Sequence, residues 1–194
     1  MRAATALILA LLAGPAGAEA PGWWQAFIAA PRLETGFRQE SESAVFGKLV
    51  RTGRLRLARG GRLRVEYQKG LLLVADGATL VQYDAAARTA QRVDLRSAGK
   101  DAPLLMVLLD PGSMGQVFEV KPAGAGELTL EPKKPGLPKV NVEGQGGLPR
   151  RIRWTDPTGA RQVLEFLDPK VPKAAFPAAT FLFQPPAGLR WIKN

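Results

Sequence analysis

From Gly53 to Asp84, apolar and charged residues alternate in short runs punctuated by glycine. Leu55 and Leu57 alternate with Arg54 and Arg56. Beyond Arg59-Gly60-Gly61, Leu63, Val65 and Tyr67 alternate with Arg62, Arg64 and Glu66. A period of two belongs to a strand with one face against a core and the other in water. The glycines supply the positive φ angles of tight hairpins, and Asp76-Gly77 is a further hairpin signal. One residue is out of phase. If the strand continues from Leu55 and Leu57, Arg59 falls on the apolar face, whereas the other arginines fall on the wet one.

The flanking segments extend this meander. Leu33 to Glu42 and Phe46 to Ala58 read as two strands before the first glycine pair. Leu71 to Ala75 is an apolar run expected to be buried on both faces. Thr79 to Asp84 and Arg88 to Arg96 follow, and Ser97 to Lys100 breaks the series. Strands then resume at Val117 to Lys121, Glu127 to Glu131, Pro138 to Glu143, Arg150 to Thr155 and Ala160 to Leu167, separated by Gly, Pro and Asp-Pro turn signals. Pro169 to Thr180 is a proline-rich connector, and Phe181 to Gln184 is read as a last short extended piece.

Two segments read as helices. Gly22 to Ala30 follows Pro21, places Trp23 and Phe27 on one face, and ends at Pro31. It either packs on a core or covers something removable. Pro103 to Leu109 is continuously apolar and closes with Asp110-Pro111-Gly112. A buried strand or a short helix fits that run. Leu and Met, with Val107 alone β-branched and Pro103 suited to a first turn, favour helix. A helix this apolar must be covered on most sides. The fold class is therefore mainly β (α+β): a curved antiparallel sheet of about ten strands that either fills its interior or stays open for a ligand.

The chain start predicts export. Met1-Arg2, the apolar run Ala6 to Leu12 and the small residues Ala16-Gly17-Ala18 form a secretory signal peptide over residues 1–18. The remaining residues, 19–194, read as one domain. No cysteine is present, so neither lipid attachment behind the apolar run nor a disulfide is available. The expected compartment is the periplasm.

The sequence contains no histidine, which excludes Ser-His-Asp triads and histidine metal sites. Asp76, Asp110, Asp156 and Asp168 each stand in a Gly or Pro turn, where aspartate is a structural choice. Glu165, between Val163 and Leu167, is the one acidic residue that falls with an apolar face, where it can pair with an arginine. The net charge of +10 is spread over strand positions without a Lys/Arg block, which argues against nucleic acid. Neither catalysis nor a cofactor or metal is expected.

What remains is an apolar concave wall of Leu55, Leu57, Leu63, Val65 and Tyr67, covered by a helix carrying Leu104, Leu105, Met106 and Leu108. Such a surface suits an acyl chain, because burial is worth about 25 cal/mol per Å2 without directional bonding. Methionine adapts to irregular ligands. Taken by itself, Arg59 either bonds a covering segment or opens the Gly60-Gly61 turn towards water.

Several pieces in order resemble the LolA family of periplasmic outer-membrane lipoprotein carriers. They are the non-lipidated export signal, Phe37-Arg38-Gln39, and Gly53-x-Leu55-x-Leu57-x-Arg59. Arg64-x-Glu66-Tyr67, Asp76-Gly77-x-x-Leu80-x-x-Tyr83-Asp84, Pro103-Leu104-Leu105 and Phe181-x-Phe183-x-Pro185-Pro186-x-Gly188 follow. The resemblance implies an unclosed β-barrel with a short-helix lid over an apolar cavity. It implies a monomeric carrier that takes acylated lipoproteins from an inner-membrane ABC transporter to an outer-membrane acceptor. It also implies that Arg59 is the lid latch, matching a family arginine that bonds lid backbone and holds the empty cavity closed. In the family a proline often follows that arginine; here Gly60 does, which predicts a looser turn. A carrier of another lipid, glycolipid or polyketide-like, and a lipid- or protein-sensing periplasmic module are the alternatives.

Overall fold

The computed structural model describes residues 20–95 and 103–192. The segment predicted as a signal peptide, residues 1–18, and the predicted break at Ser97 to Lys100 lie outside them. Helix α1 (Gly22–Ala29) is followed by six strands: β1 (Arg32–Ser43), β2 (Gly47–Ala58), β3 (Arg62–Tyr67), β4 (Leu71–Asp76), β5 (Thr79–Asp84) and β6 (Thr89–Asp94). Helix α2 (Pro103–Leu109), a 3-10 turn (Pro111–Ser113) and the one-turn α3 (Met114–Val117) come next. Five more strands follow: β7 (Phe118–Gly124), β8 (Glu127–Pro132), β9 (Val140–Gln145), β10 (Leu148–Thr155) and β11 (Arg161–Lys170). A second 3-10 turn (Ala178–Phe181) leads to β12 (Arg190–Ile192).

All the strands join one sheet in the order β12-β6-β5-β4-β3-β2-β1-β11-β10-β9-β8-β7. Two meanders meet where β1 pairs with β11, and both ends of the sheet remain edges, so the barrel is unclosed. The predicted phase of the opening stretch is correct. Leu55, Leu57, Leu63 and Val65 are buried, with Leu57 opposite Leu63 and Leu55 opposite Val65. The aromatic ring of Phe37 lies over Gly53, where an added Cβ would stand 2.7 Å from that ring and 2.2 Å from the Glu66 carbonyl oxygen.

The interior of the curl is filled by Trp24 and Phe27 of α1, Val107 and Leu108 of α2, Met114 of α3, and Phe37, Phe118, Leu128 and Ile152 of the sheet. Trp23 lies flat on Gly144 of β9, where a Cβ would fall 2.0 Å from the indole. That missing side chain is what lets α1 sit down on the sheet.

Three expectations need correction. The sheet has twelve strands among the described residues rather than about ten. Phe181 to Gln184 is not a strand. The segment turns at Ala178–Phe181, and the final strand is Arg190–Ile192, parallel to β6. Pro177, Pro185 and Pro186 deny that stretch the N–H groups of a ladder. This strap instead covers the outer face of β4 and β5, burying Val74 and Val81 behind Phe181, while Ala75 and Leu80 face the core. The apolar run Leu71 to Ala75 is thus covered on both sides at its second half. Lastly, Glu165 is on the outer face. The core face of β11 is Gln162, Leu164 and Phe166, while Leu167 is largely exposed. Glu165 does pair with Arg151, at 2.9 Å.

Candidate functional site

The out-of-phase arginine immediately follows β2 and reaches the ends of the two apolar helices. Arg59 Nε donates to the Ala30 carbonyl at 2.8 Å, Nη1 donates to the Leu108 carbonyl at 3.4 Å, and Nη2 donates to the Phe27 carbonyl. Its guanidinium carbon also lies 5.0 Å from the centroid of the Phe27 ring. These acceptors share an origin. Phe27 is in the last turn of α1, Ala30 is the residue that caps it, and Leu108 is in the last turn of α2. The last carbonyls of a helix lack intrahelical donors and carry the negative end of its dipole. A planar cation with a fixed fork of donors therefore caps both helices at once. The Arg59 backbone N–H adds a bond to the Pro31 carbonyl at 3.1 Å, tying the strand end to the exit of α1.

Burial pushes the Arg59 pKa down, and the nearby Asp110 carboxylate opposes that shift. Arginine stays protonated in proteins, so the group remains a half-buried charge whose stability depends on its three carbonyl acceptors. The turn that carries it needs glycine. Gly60 and Gly61 have φ of +83° and +74°, whereas proline is locked near about −65°. The glycine that departs from the family pattern is thus required by this turn. Gly77 of the next hairpin packs against it, since a Cβ there would lie 2.7 Å from the Gly60 carbonyl oxygen.

Beside this turn is a cavity of about 550 Å3, lined by the Arg59-Gly60-Gly61 turn, Gly77 and Leu95, by Leu105 and Leu109 of α2, and by Asp110, Ser113 and Met114. Leu105 of the predicted lid helix lines it directly. Leu108 does not; it is fully buried in the core. Leu104 and Met106 belong to α2, with side chains outside the described set. Leu55, Leu57, Leu63 and Val65 are buried in the same core cluster as the apolar residues of α1 and α2, and Tyr67 is half-buried, donating its hydroxyl to Gln39 Oε1 at 2.8 Å. Burial pushes the Tyr67 pKa up, with Arg51 pulling it the other way. The predicted wall residues and Arg59 are therefore brought together with α1 and α2. Trp24, Phe27 and Met114, which plug the interior, were not among the predicted site residues. The apolar face of α1 was the one sequence signal for the first two.

Asp76 and Asp156 do turn work, whereas Asp168 lies inside β11 with φ of +52° and not in a turn. Asp76 Oδ1 accepts from the N–H groups of Ala78 and Thr79 at 2.9 and 2.8 Å, and Asp156 Oδ1 accepts from Thr158 and Ala160 at 2.9 and 3.1 Å. Among the described residues no group of three acidic, histidine or cysteine side chains could hold a metal ion, and no helix is long and apolar enough to cross a membrane.

The family described as outer membrane lipoprotein carrier protein LolA matches residues 30–184. The chain belongs to the LolA family. No curated protein matches it at a significant level. Among solved structures it is similar to an uncharacterised conserved protein from Thermus thermophilus, at 12% identity with a TM-score of 0.54, over 88% of this chain and 97% of that one. A DUF1329 family protein from Desulfovibrio piger has 12% identity and a TM-score of 0.53, over 82% and 92% of the two chains. A LolA superfamily protein from Nitrosomonas europaea has 11% identity and a TM-score of 0.47, over 82% and 97%. At these identities the likeness is one of fold: a LolA-type open curled sheet with few short helices.

Proposed function

We propose that this LolA family member is a periplasmic, non-enzymatic carrier that binds the acyl chains of lipoproteins released from the inner membrane and delivers them to an outer-membrane acceptor. The observation that carries the reading is the single arginine capping both lid helices over an apolar interior. An acyl chain gains about 0.8 kcal/mol per buried CH2. To be buried here it must lift α1 and α2 off Leu55, Leu57, Leu63 and Val65, with Tyr67 at the far end of the same wall and Leu104, Leu105, Met106 and Leu108 on the lid. Lifting them breaks the Arg59 bonds. That cost is subtracted from the affinity, so cargo is held firmly enough to leave one membrane and loosely enough to be given up at another. The carrier works as a monomer between a lipoprotein-releasing ABC transporter and the acceptor, and residues 19–194 form its one domain.

The test is to incubate the purified protein with a triacylated lipoprotein in detergent-free buffer and separate the products by size. The expected result is a soluble complex with one lipoprotein per carrier, abolished when the lipoprotein is deacylated. Recovery of the lipoprotein only as aggregate, or binding that survives deacylation, overturns the reading.

A further inference from the structure

The β1–β2 hairpin ends in an apolar tip. Val45 is 82% and Phe46 91% exposed, and Leu49 and Val50 on the adjoining stem are 49% and 41% exposed. The tip has a fixed shape: the Phe46 backbone N–H donates to Ser43 Oγ at 2.9 Å, and Gly47 takes φ +66° to start the return strand. It also projects. Pairing between β2 and β3 begins at Gly53 and Tyr67, so among the described residues Gly47 to Arg51 have β1 as their only strand partner. On the other side β11 flanks β1 only as far as Glu42, opposite Arg161. With about 3.3 Å per strand residue, β2 places the tip roughly 40 Å from Arg59, at the opposite end of the sheet from the lid.

Two exposed cations stand beside the stem, Arg51 on β2 and Lys69 in the β3–β4 turn, and neither has an ion pair among the described residues. Lys48, by contrast, is paired with Glu40. The chain as a whole carries +10. A convex apolar tip requires a matching hollow in a protein partner. The interfacial zone of a bilayer accepts apolar side chains of any shape and places phosphates at the level of flanking cations.

We propose that the Val45-Phe46 tip inserts into the surface of a phospholipid bilayer, with Arg51 and Lys69 facing its anionic head groups. Two inserted side chains give a weak, reversible attachment, the kind that allows a protein to visit a membrane and leave. The attachment uses no part of the lid or its latch, and it does not rest on lipoprotein carriage.

Flotation of the purified protein with vesicles of phosphatidylcholine, with and without phosphatidylglycerol, tests this. The wild type is expected to float with both, more strongly with phosphatidylglycerol. The double variant Val45→Ser, Phe46→Ser is expected to lose about tenfold or more of its partitioning on both. Arg51→Gln and Lys69→Gln are each expected to lose about fivefold on the anionic vesicles alone. These positions are exposed, so melting temperature and lipoprotein complex formation stay at the wild-type level. That separates failure here from failure of the carrier reading. In a second measurement, Phe46→Trp should shift its emission to the blue when vesicles are added. Absence of wild-type flotation, equal flotation of the double variant, or a tip whose only effect is on self-association in solution overturns the proposal.

Discussion

Replacing Arg59 with leucine removes the shared cap of α1 and α2, the proposed lid, and retains an apolar stem. Three hydrogen bonds are lost, from one charged donor to the carbonyls of Phe27, Ala30 and Leu108. Bonds to charged groups are worth about 1.5–3 kcal/mol each. Against that loss stands the desolvation of a half-buried guanidinium, a cost of several kcal/mol that the variant no longer bears. Leucine packing beside Phe27 recovers some closure as well. The net change is about 2–3 kcal/mol towards the open lid, or about 30- to 150-fold in the open/closed ratio. Apparent affinity for a ligand of the open state rises by the same factor until the open state dominates. A fluorescent fatty acid titrated against both proteins measures that rise. Acrylamide quenching supplies an independent readout, because Trp24 is 2% exposed under the closed lid. It is best read with Trp191, 41% exposed, replaced by phenylalanine. Arg59→Lys carries the charge without the fork and should fall between the two. Unchanged fatty-acid affinity together with unchanged quenching in Arg59→Leu would refute the latch.

Further outcomes follow from the packing and the charges. Gly144→Ala drives a methyl group into Trp23; overpacking of this kind costs about 1–3 kcal/mol, so thermal melting should fall by roughly 3–10 °C, with Gly146→Ala excluded as a control because of its positive φ. Arg56 and Arg64 stand directly opposite each other, and both reach Glu66, at 3.3 and 2.9 Å. Glu66→Gln leaves like charges facing across the pair, and because Glu66 is 40% exposed the loss should stay below about 1 kcal/mol and shrink in high salt, as urea melts at two ionic strengths will reveal. Backbone bonds from Thr79 and Ala78 hold the Asp76 carboxyl below its ordinary value of 3.8, and the Thr158 hydroxyl, then Gln162 and backbone N–H groups, do the same for Asp156 against opposing burial. Each is a lowered folded-state pKa, so its stabilisation is complete above the unfolded value and is lost as pH falls through the folded one. Acid unfolding should therefore begin below pH 3.8 for these groups, and Asp76→Ala should flatten that limb of the stability curve.

The legible part of the fold was local. Leu55, Leu57, Leu63 and Val65 could be assigned to one buried face because the side-chain period of a strand is fixed by its backbone. Pro103 to Leu109 could be placed as a helix because its composition and its first-turn proline agree. The same reasoning failed for Glu165, where Val163 and Leu167 suggested an apolar face. Leu164 and Phe166 own the core side, and two apolar outer residues imitated the pattern. It failed again at Phe181 to Gln184, where aromatic residues that look like a strand serve as plugs in a strap across β4 and β5.

By itself, the sequence determined the hairpin order, the phase of the opening strands and the anomaly of Arg59, all consequences of interactions between near neighbours. Only the tertiary structure decided that β1 and β11 join the two meanders across most of the chain, that Arg59 is satisfied by main-chain carbonyls, and that Val45 and Phe46 project beyond the neighbouring strands. Main-chain acceptors have no side-chain signature, and the exposure of a turn depends on how far the neighbouring strands run. Both are set by the packing of distant segments.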